Sequence, residues 1–113
     1  MTSKQQFNIF GQPLELCSLQ PTTGYTRNGN CEFVKQDAGL HSVCAVLTPE
    51  FLRFTRSKGN SLQGLKIGQQ WCLCINRWIE ALHAGVAPPI IGKSTNIHVL
   101  NFIPKNVIKP YVI

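Results

Sequence analysis

Gly68-Gln69-Gln70-Trp71-Cys72-Leu73-Cys74-Ile75-Asn76-Arg77-Trp78 sets two cysteines, two tryptophans and an arginine into one short stretch of a 113-residue chain that holds five cysteines. Its folding decides whether the two sulfurs share a face. Continued through Ile79-Glu80-Ala81-Leu82-His83-Ala84-Gly85, the stretch places Ile75, Trp78, Ile79 and Leu82 at spacings of three and four. Gly85 closes that pattern before the extended Val86-Ala87-Pro88-Pro89. The period predicts an amphipathic helix over about 73–84. In a helix, residues two apart diverge by about 200°, so Cys74 joins Trp71 and Trp78 on the buried side while Cys72 swings away. If the helix starts near Leu73, Cys72 lies at its cap, where unpaired amides stabilise a thiolate. Cys72 is therefore expected to be the reactive member of the pair and Cys74 an inert core residue. An extended Trp71–Cys74 is the competing geometry, with both sulfurs on one face and a shared metal favoured.

Upstream, His41-Ser42-Val43-Cys44-Ala45-Val46-Leu47 is apolar on both parities, as suits a strand buried on both faces. Thr48-Pro49-Glu50 then supplies a cap hydroxyl, a proline at the first helical position and an acid at the positive end of the dipole. With Gly59-Asn60 as a left-handed stop, a helix over about 49–58 follows. Phe7–Phe10, Pro89–Ile91 and Val99–Ile103 read as further short strands, residues 21–30 as an ordered turn-rich loop, and Pro104 as the opening of a short helix through Ile108. These elements predict an α+β fold: one compact domain over residues 1–113, with a small mixed sheet packed against two main helices and a short C-terminal helix.

No apolar run approaches the roughly eighteen residues of a membrane span, and Met1–Gln6 lacks the apolar region of a secretory signal, so a cytoplasmic protein without a membrane partner is expected. Five cysteines are an odd number and too sparse for a disulfide scaffold, which in a reducing compartment makes them thiols or ligands. The net charge of +6 comes from a scarcity of acids. The basic residues are dispersed except for Arg53, Arg56 and Lys58, which suit a helix C-terminus. No base-reading motif accompanies them, so no sequence-specific nucleic-acid binding is expected.

Four segments carry a resemblance: P-L-E-L-C-S, T-G-Y-T-R-N-G-N-C, D-A-G-L-H-S-V-C-A-V-L-T-P-E-F-L-R-F and W-C-L-C-I-N-R-W-I-E-A-L-H-A-G-V-A-P-P. From Asn8 to about Leu100 the chain resembles the small bacterial family catalogued as domain of unknown function 2237. The resemblance implies one small domain and no established activity. Its pattern falls on all five cysteines (Cys17, Cys31, Cys44, Cys72 and Cys74) and on Arg27, Asp37, His41, Trp71, Arg77 and Trp78 among others. Three departures stand out. An insert usual in the family is reduced to Ser61-Leu62-Gln63, a Thr-Gly after the second cysteine is Phe33-Val34, and a typical Thr-His is Thr95-Asn96.

Two kinds of chemistry fit these residues. His41, Cys44, Cys72 and Cys74 have the number and type of donors that Zn²⁺ takes, although His41 and Cys44 point to opposite faces of a regular strand and need a bulge to converge. Alternatively Cys72, or Cys74, is a nucleophile with His41 as its base and Asp37 orienting the imidazole. The expected site is thus Cys/His-lined, around Asp37, His41, Cys72 and Cys74, and serves thiol chemistry or metal binding. The rival expectation is a non-enzymatic interaction module whose cysteines are core residues, because free cysteine is among the most buried side chains.

Overall fold

In the computed structural model, which describes residues 5–113, strand β1, His41–Val46, pairs antiparallel with strand β2, Gln70–Cys74. Val43 faces Leu73, Cys44 faces Cys72, Ala45 faces Trp71 and Val46 faces Gln70, but the next partner of Cys74 is His41. Two steps on β1 therefore match one on β2, which makes Ser42 the extra residue of a β-bulge. Side chains alternate across a strand. Val43, Ala45 and Leu73 accordingly enter the main core with Phe51, Ile75 and Trp78, while Cys44 and Cys72 emerge on the other side among Cys17 and Cys31. The extra residue returns His41 to the face of Cys44, where a regular strand would have opposed them.

Helix α1, Pro49–Ser57, starts as the sequence predicts: Thr48 Oγ1 accepts a hydrogen bond from the Phe51 amide at 3.1 Å, and Glu50 sits in the first turn. Gly59 takes a left-handed φ of 84° after the helix ends. Helix α2, Ile75–His83, begins later than predicted. Leu73 and Cys74 belong to β2, so the extended alternative is the one that occurs. The cause is tertiary: Leu73 is buried against the core opposite Val43, and strand pairing overrides a helical period whose apolar positions begin only at Ile75. Trp78 is fully buried, donates Nε1–H to the Pro88 carbonyl at 3.0 Å and meets Tyr111 edge to face at 5.3 Å.

The sheet is smaller than the sequence suggests. Ile90 makes single bridges to Ala45 and Val112, and Phe7 and Asn8 bridge Pro13 and Asn96, without forming strands. The predicted strand at Val99–Ile103 is replaced by a 3-10 helix, Ile97–Asn101, because Asn96 Oδ1 accepts from the His98 amide at 3.0 Å and caps a tight turn instead. After Pro104 the expected short helix forms as α3, Lys105–Ile108. The architecture is α+β: a two-stranded antiparallel ribbon with three α-helices. Among the described residues no helix is long and apolar enough to cross a membrane.

Two substitutions probe this frame. Thr48→Ala removes the cap acceptor and lowers stability by about 1 kcal/mol in denaturant unfolding, and an unchanged midpoint would deny Thr48 that role. Ser42 is the residue among those described whose buried side-chain oxygen has no hydrogen-bond partner. Ser42→Ala is therefore neutral or stabilising, by up to about 1 kcal/mol, and a clear loss of stability would show that its hydroxyl is satisfied in solution.

Candidate functional site

The cysteines divide into a buried group and one free thiol. Cys17 is bonded to Cys44 with an S–S distance of 2.08 Å, and Cys31 to Cys72 at 2.00 Å. All four are buried. The two bridges are neighbours, for the sulfurs of Cys17, Cys31 and Cys72 all lie within 4.8 Å of one another. Hydroxyls satisfy the strand amides at this point: Cys44 N–H donates to Thr95 Oγ1 at 3.0 Å and Cys72 N–H to Thr23 Oγ1 at 2.8 Å. Gln70 Nε2 donates to the Cys17 carbonyl at 2.6 Å, and Asn96 Nδ2 to the Cys31 carbonyl at 3.2 Å. Asn96 thus borders the sulfur cluster.

These contacts correct the expected sulfur chemistry. Four of the five cysteines are disulfide-bonded rather than thiols, and the anticipated contrast within Cys72-x-Cys74 is reversed. Cys72 is bonded and buried, whereas Cys74 is free and half-buried. The extended strand does bring both sulfurs to one face, but the partner of Cys72 is Cys31, from a distant loop that periodicity does not position. The set His41, Cys44, Cys72 and Cys74 is gathered on that face by the bulge. Two of its three sulfurs are nevertheless engaged with cysteines outside the set, which leaves one thiol and one imidazole as donors.

Asp37 and His41 lie side by side. His41 Nδ1 lies 2.8 Å from Asp37 Oδ1, while Asp37 also accepts from the Gly39 amide at 3.1 Å and from the His41 amide at 2.7 Å. A carboxylate accepts only, so Nδ1 carries the ring proton and Nε2 is left as the acceptor. Two backbone features permit this turn. Leu40 adopts φ 50°, in the left-handed region. Gly39 lies against the imidazole so closely that a Cβ there would stand 2.7 Å from His41 Cε1. Asp37 is buried, and the His41 side chain is 41% exposed, so the carboxylate is shielded while the imidazole is reachable.

His41, Leu62 and Trp71 line two adjoining cavities. The first, about 170 Å³, also takes in Asn60, Cys74 and Arg77; the second, about 370 Å³, takes in Tyr25, Arg27 and Cys72. Cys74 is the N-cap residue of α2 and has no side-chain capping bond, so its sulfur stands at the positive end of a nine-residue helix. Arg27 lies 5.1 Å from the Trp71 ring centroid, and Arg77 is 3.2 Å from Glu80. Sequence reasoning missed Trp71 and Leu62 as cavity walls. Leu62, from the segment after α1, lines both cavities. A larger cavity of about 610 Å³, bounded by Ile9, Phe10, Ile108 and Val112 with Lys105 and Lys109, shares no residue with the cysteine and histidine groups.

A family model described as an uncharacterised protein conserved in bacteria, domain of unknown function 2237, matches residues 7–112. No curated protein matches the chain.

Alkylation of the native oxidised protein with iodoacetamide labels Cys74 alone, and Cys74→Ser abolishes the labelling as read by peptide mass spectrometry. Modification of Cys72 without prior reduction would contradict the Cys31–Cys72 bond.

Proposed function

The chain belongs to this family of uncharacterised bacterial proteins, and on that premise we propose that it carries out thiol chemistry with Cys74 as nucleophile, His41 as base and Asp37 as the group that orients the imidazole. The supporting observation is that His41 is the cross-strand partner of Cys74 while its Nδ1 is bonded to the buried Asp37, with His41 and Cys74 lining one cavity. In this assignment Cys74 takes the part for which Cys72 was the first choice.

The chemistry follows from these positions. His41 Nε2 accepts the Cys74 thiol proton as the sulfur bonds to an electrophilic atom of the substrate. The bond to the leaving group breaks, and the imidazolium returns the proton to that group. Asp37 keeps the proton on Nδ1 throughout, so that Nε2 alone takes part. With Arg27 and Arg77 among the cavity residues, a small substrate bearing an anionic group is favoured. A cytoplasmic location keeps the Cys74 thiol reduced, whereas the two disulfides belong to an oxidising compartment.

A second reading keeps the cysteines structural and makes the protein a non-enzymatic interaction module; the two buried disulfides favour it. The readings part at Cys74. A module tolerates Cys74→Ser without loss, and its thiol reacts at a rate indifferent to His41.

The alkylation rate of Cys74 against pH tests the assignment. His41→Gln slows labelling near neutral pH by at least about tenfold, with the difference vanishing at high pH where no base is needed. Arg77→Gln lowers the rate with iodoacetate relative to iodoacetamide, because the former is anionic. An unchanged rate in His41→Gln at every pH would remove His41 as the base.

A further inference from the structure

We propose that the buried cluster of Cys17, Cys31, Cys44 and Cys72, once reduced, is a tetrahedral thiolate site for Zn²⁺, distinct from the Cys74–His41 site. Three of the sulfurs are already gathered: those of Cys17, Cys31 and Cys72 lie within 4.8 Å of one another, and the fourth, Cys44, stands outside that group but is bonded to Cys17. Four thiolates at a Zn–S distance of about 2.3 Å stand roughly 3.8 Å apart. Loss of the two S–S bonds lets the first three close to that arrangement, with Cys44 turning in from the sulfur it was bonded to.

The surroundings suit the exchange. Cys44 and Cys72 are cross-strand partners on the ribbon, so one pair of ligands is fixed. Cys17 and Cys31 are in loops, which can adjust. The outer contacts that hold the backbone here, from Thr23, Thr95, Gln70 and Asn96, do not depend on the S–S bonds themselves. Reduction without a metal would leave four buried thiols packed together. Thiolates in such a place require a bound cation to offset their desolvation. Zn²⁺ supplies it and replaces both cross-links with one.

The step balances with a dithiol as reductant. Two dithiols transfer four electrons to the two cystines and become two cyclic disulfides. Their four protons are released as four cysteine thiolates bind one Zn²⁺. In the reverse direction, two low-molecular-weight disulfides accept the four electrons, take up four protons to give four thiols, and Zn²⁺ leaves as the cystines re-form. In a reducing compartment the metal-bound state prevails, and under oxidation the disulfide state does.

The experiment reduces the full-length chain with a phosphine under anaerobic conditions, removes the reductant and titrates with Co²⁺. One cobalt per chain binds with thiolate-to-cobalt charge-transfer absorption and tetrahedral ligand-field bands, and Zn²⁺ displaces it. The oxidised protein gives no such spectrum. Cys74→Ser keeps the spectrum, whereas Cys31→Ser weakens cobalt affinity by at least about tenfold. Absence of thiolate–cobalt absorption in the reduced wild-type chain overturns the proposal, and this measurement requires no variant to fold. Loss of the spectrum in Cys74→Ser with retention in Cys31→Ser also overturns it, by locating the ion with His41 and Cys74. Because the readout is metal spectroscopy, it stands or falls separately from the reactivity of Cys74.

Discussion

One extra residue in an antiparallel ribbon organises the molecule. Because Ser42 has no partner on β2, His41 turns to the same face as Cys44, Cys72 and Cys74, while Val43, Ala45 and Leu73 keep the opposite face for the core. The apolar side is closed by α1 and α2, with Phe51 and Trp78 fully buried. Among the described residues no α-helix closes the other side. It is covered by the loops that carry Cys17 and Cys31, and sulfur–sulfur bonds fasten those loops to the ribbon. Without the bulge, His41 would point into the apolar core, where its pairing with Asp37 and its access to the cavity would both be lost.

The cross-links matter because the loop side buries little apolar surface. Among the described residues the group around the four cysteines includes only Ile91 as a packed hydrophobic neighbour. A loop held by so few contacts must offset its ordering entropy in another way. Bridges spanning sequence separations of 27 and 41 residues each contribute on the order of 3.5–4 kcal/mol on a chain-entropy estimate. The two closed loops overlap along the chain, so the second bridge restricts a chain already restricted by the first, and the contributions do not simply add. Positive-φ glycines at Gly24 and Gly29 fold the loop tightly enough to reach the ribbon. A Cβ on Gly24 would stand only 2.3 Å from the Asn30 carbonyl oxygen.

Features with a local cause were legible in the sequence. Asp37 was singled out as a partner for His41 without the turn that joins them, whereas Thr48-Pro49-Glu50 specifies the start of α1 through adjacent atoms and could be read directly. Cys17–Cys44 and Cys31–Cys72 could not, because connectivity among cysteines depends on which distant segments meet, and spacing carries no information on that. Leu73 and Cys74 were misread as helical for a related reason: an amphipathic period extends backwards into any apolar residue, and only pairing with β1 ends it. The 3-10 helix at Ile97–Asn101 turns on a single capping side chain, Asn96, within a stretch whose β-branched residues favour a strand. The bulge itself was named as the condition for His41 and Cys44 to share a face, but no residue in His41–Leu47 announces it.

The contrast within Cys72-x-Cys74 follows from position along the strand, not from residue type. By strand alternation both side chains project to the same face, from backbone positions one repeat apart, roughly 6.5 Å. Cys74 is the last residue of β2 and the cap of α2, where the ribbon ends beside the cavity and the loops no longer cover it. Cys72 lies one repeat deeper, beneath the segment that carries Cys31, and its amide is bound by the Thr23 hydroxyl. Two identical side chains on one face thus meet different environments: cover by a cross-linking loop makes one part of the framework, and the strand-to-helix junction leaves the other exposed to a histidine. Neither a helix nor a regular ribbon would separate them in this way. A helix would send them to different sides of the element, and a ribbon without the bulge would leave Cys74 with no imidazole beside it.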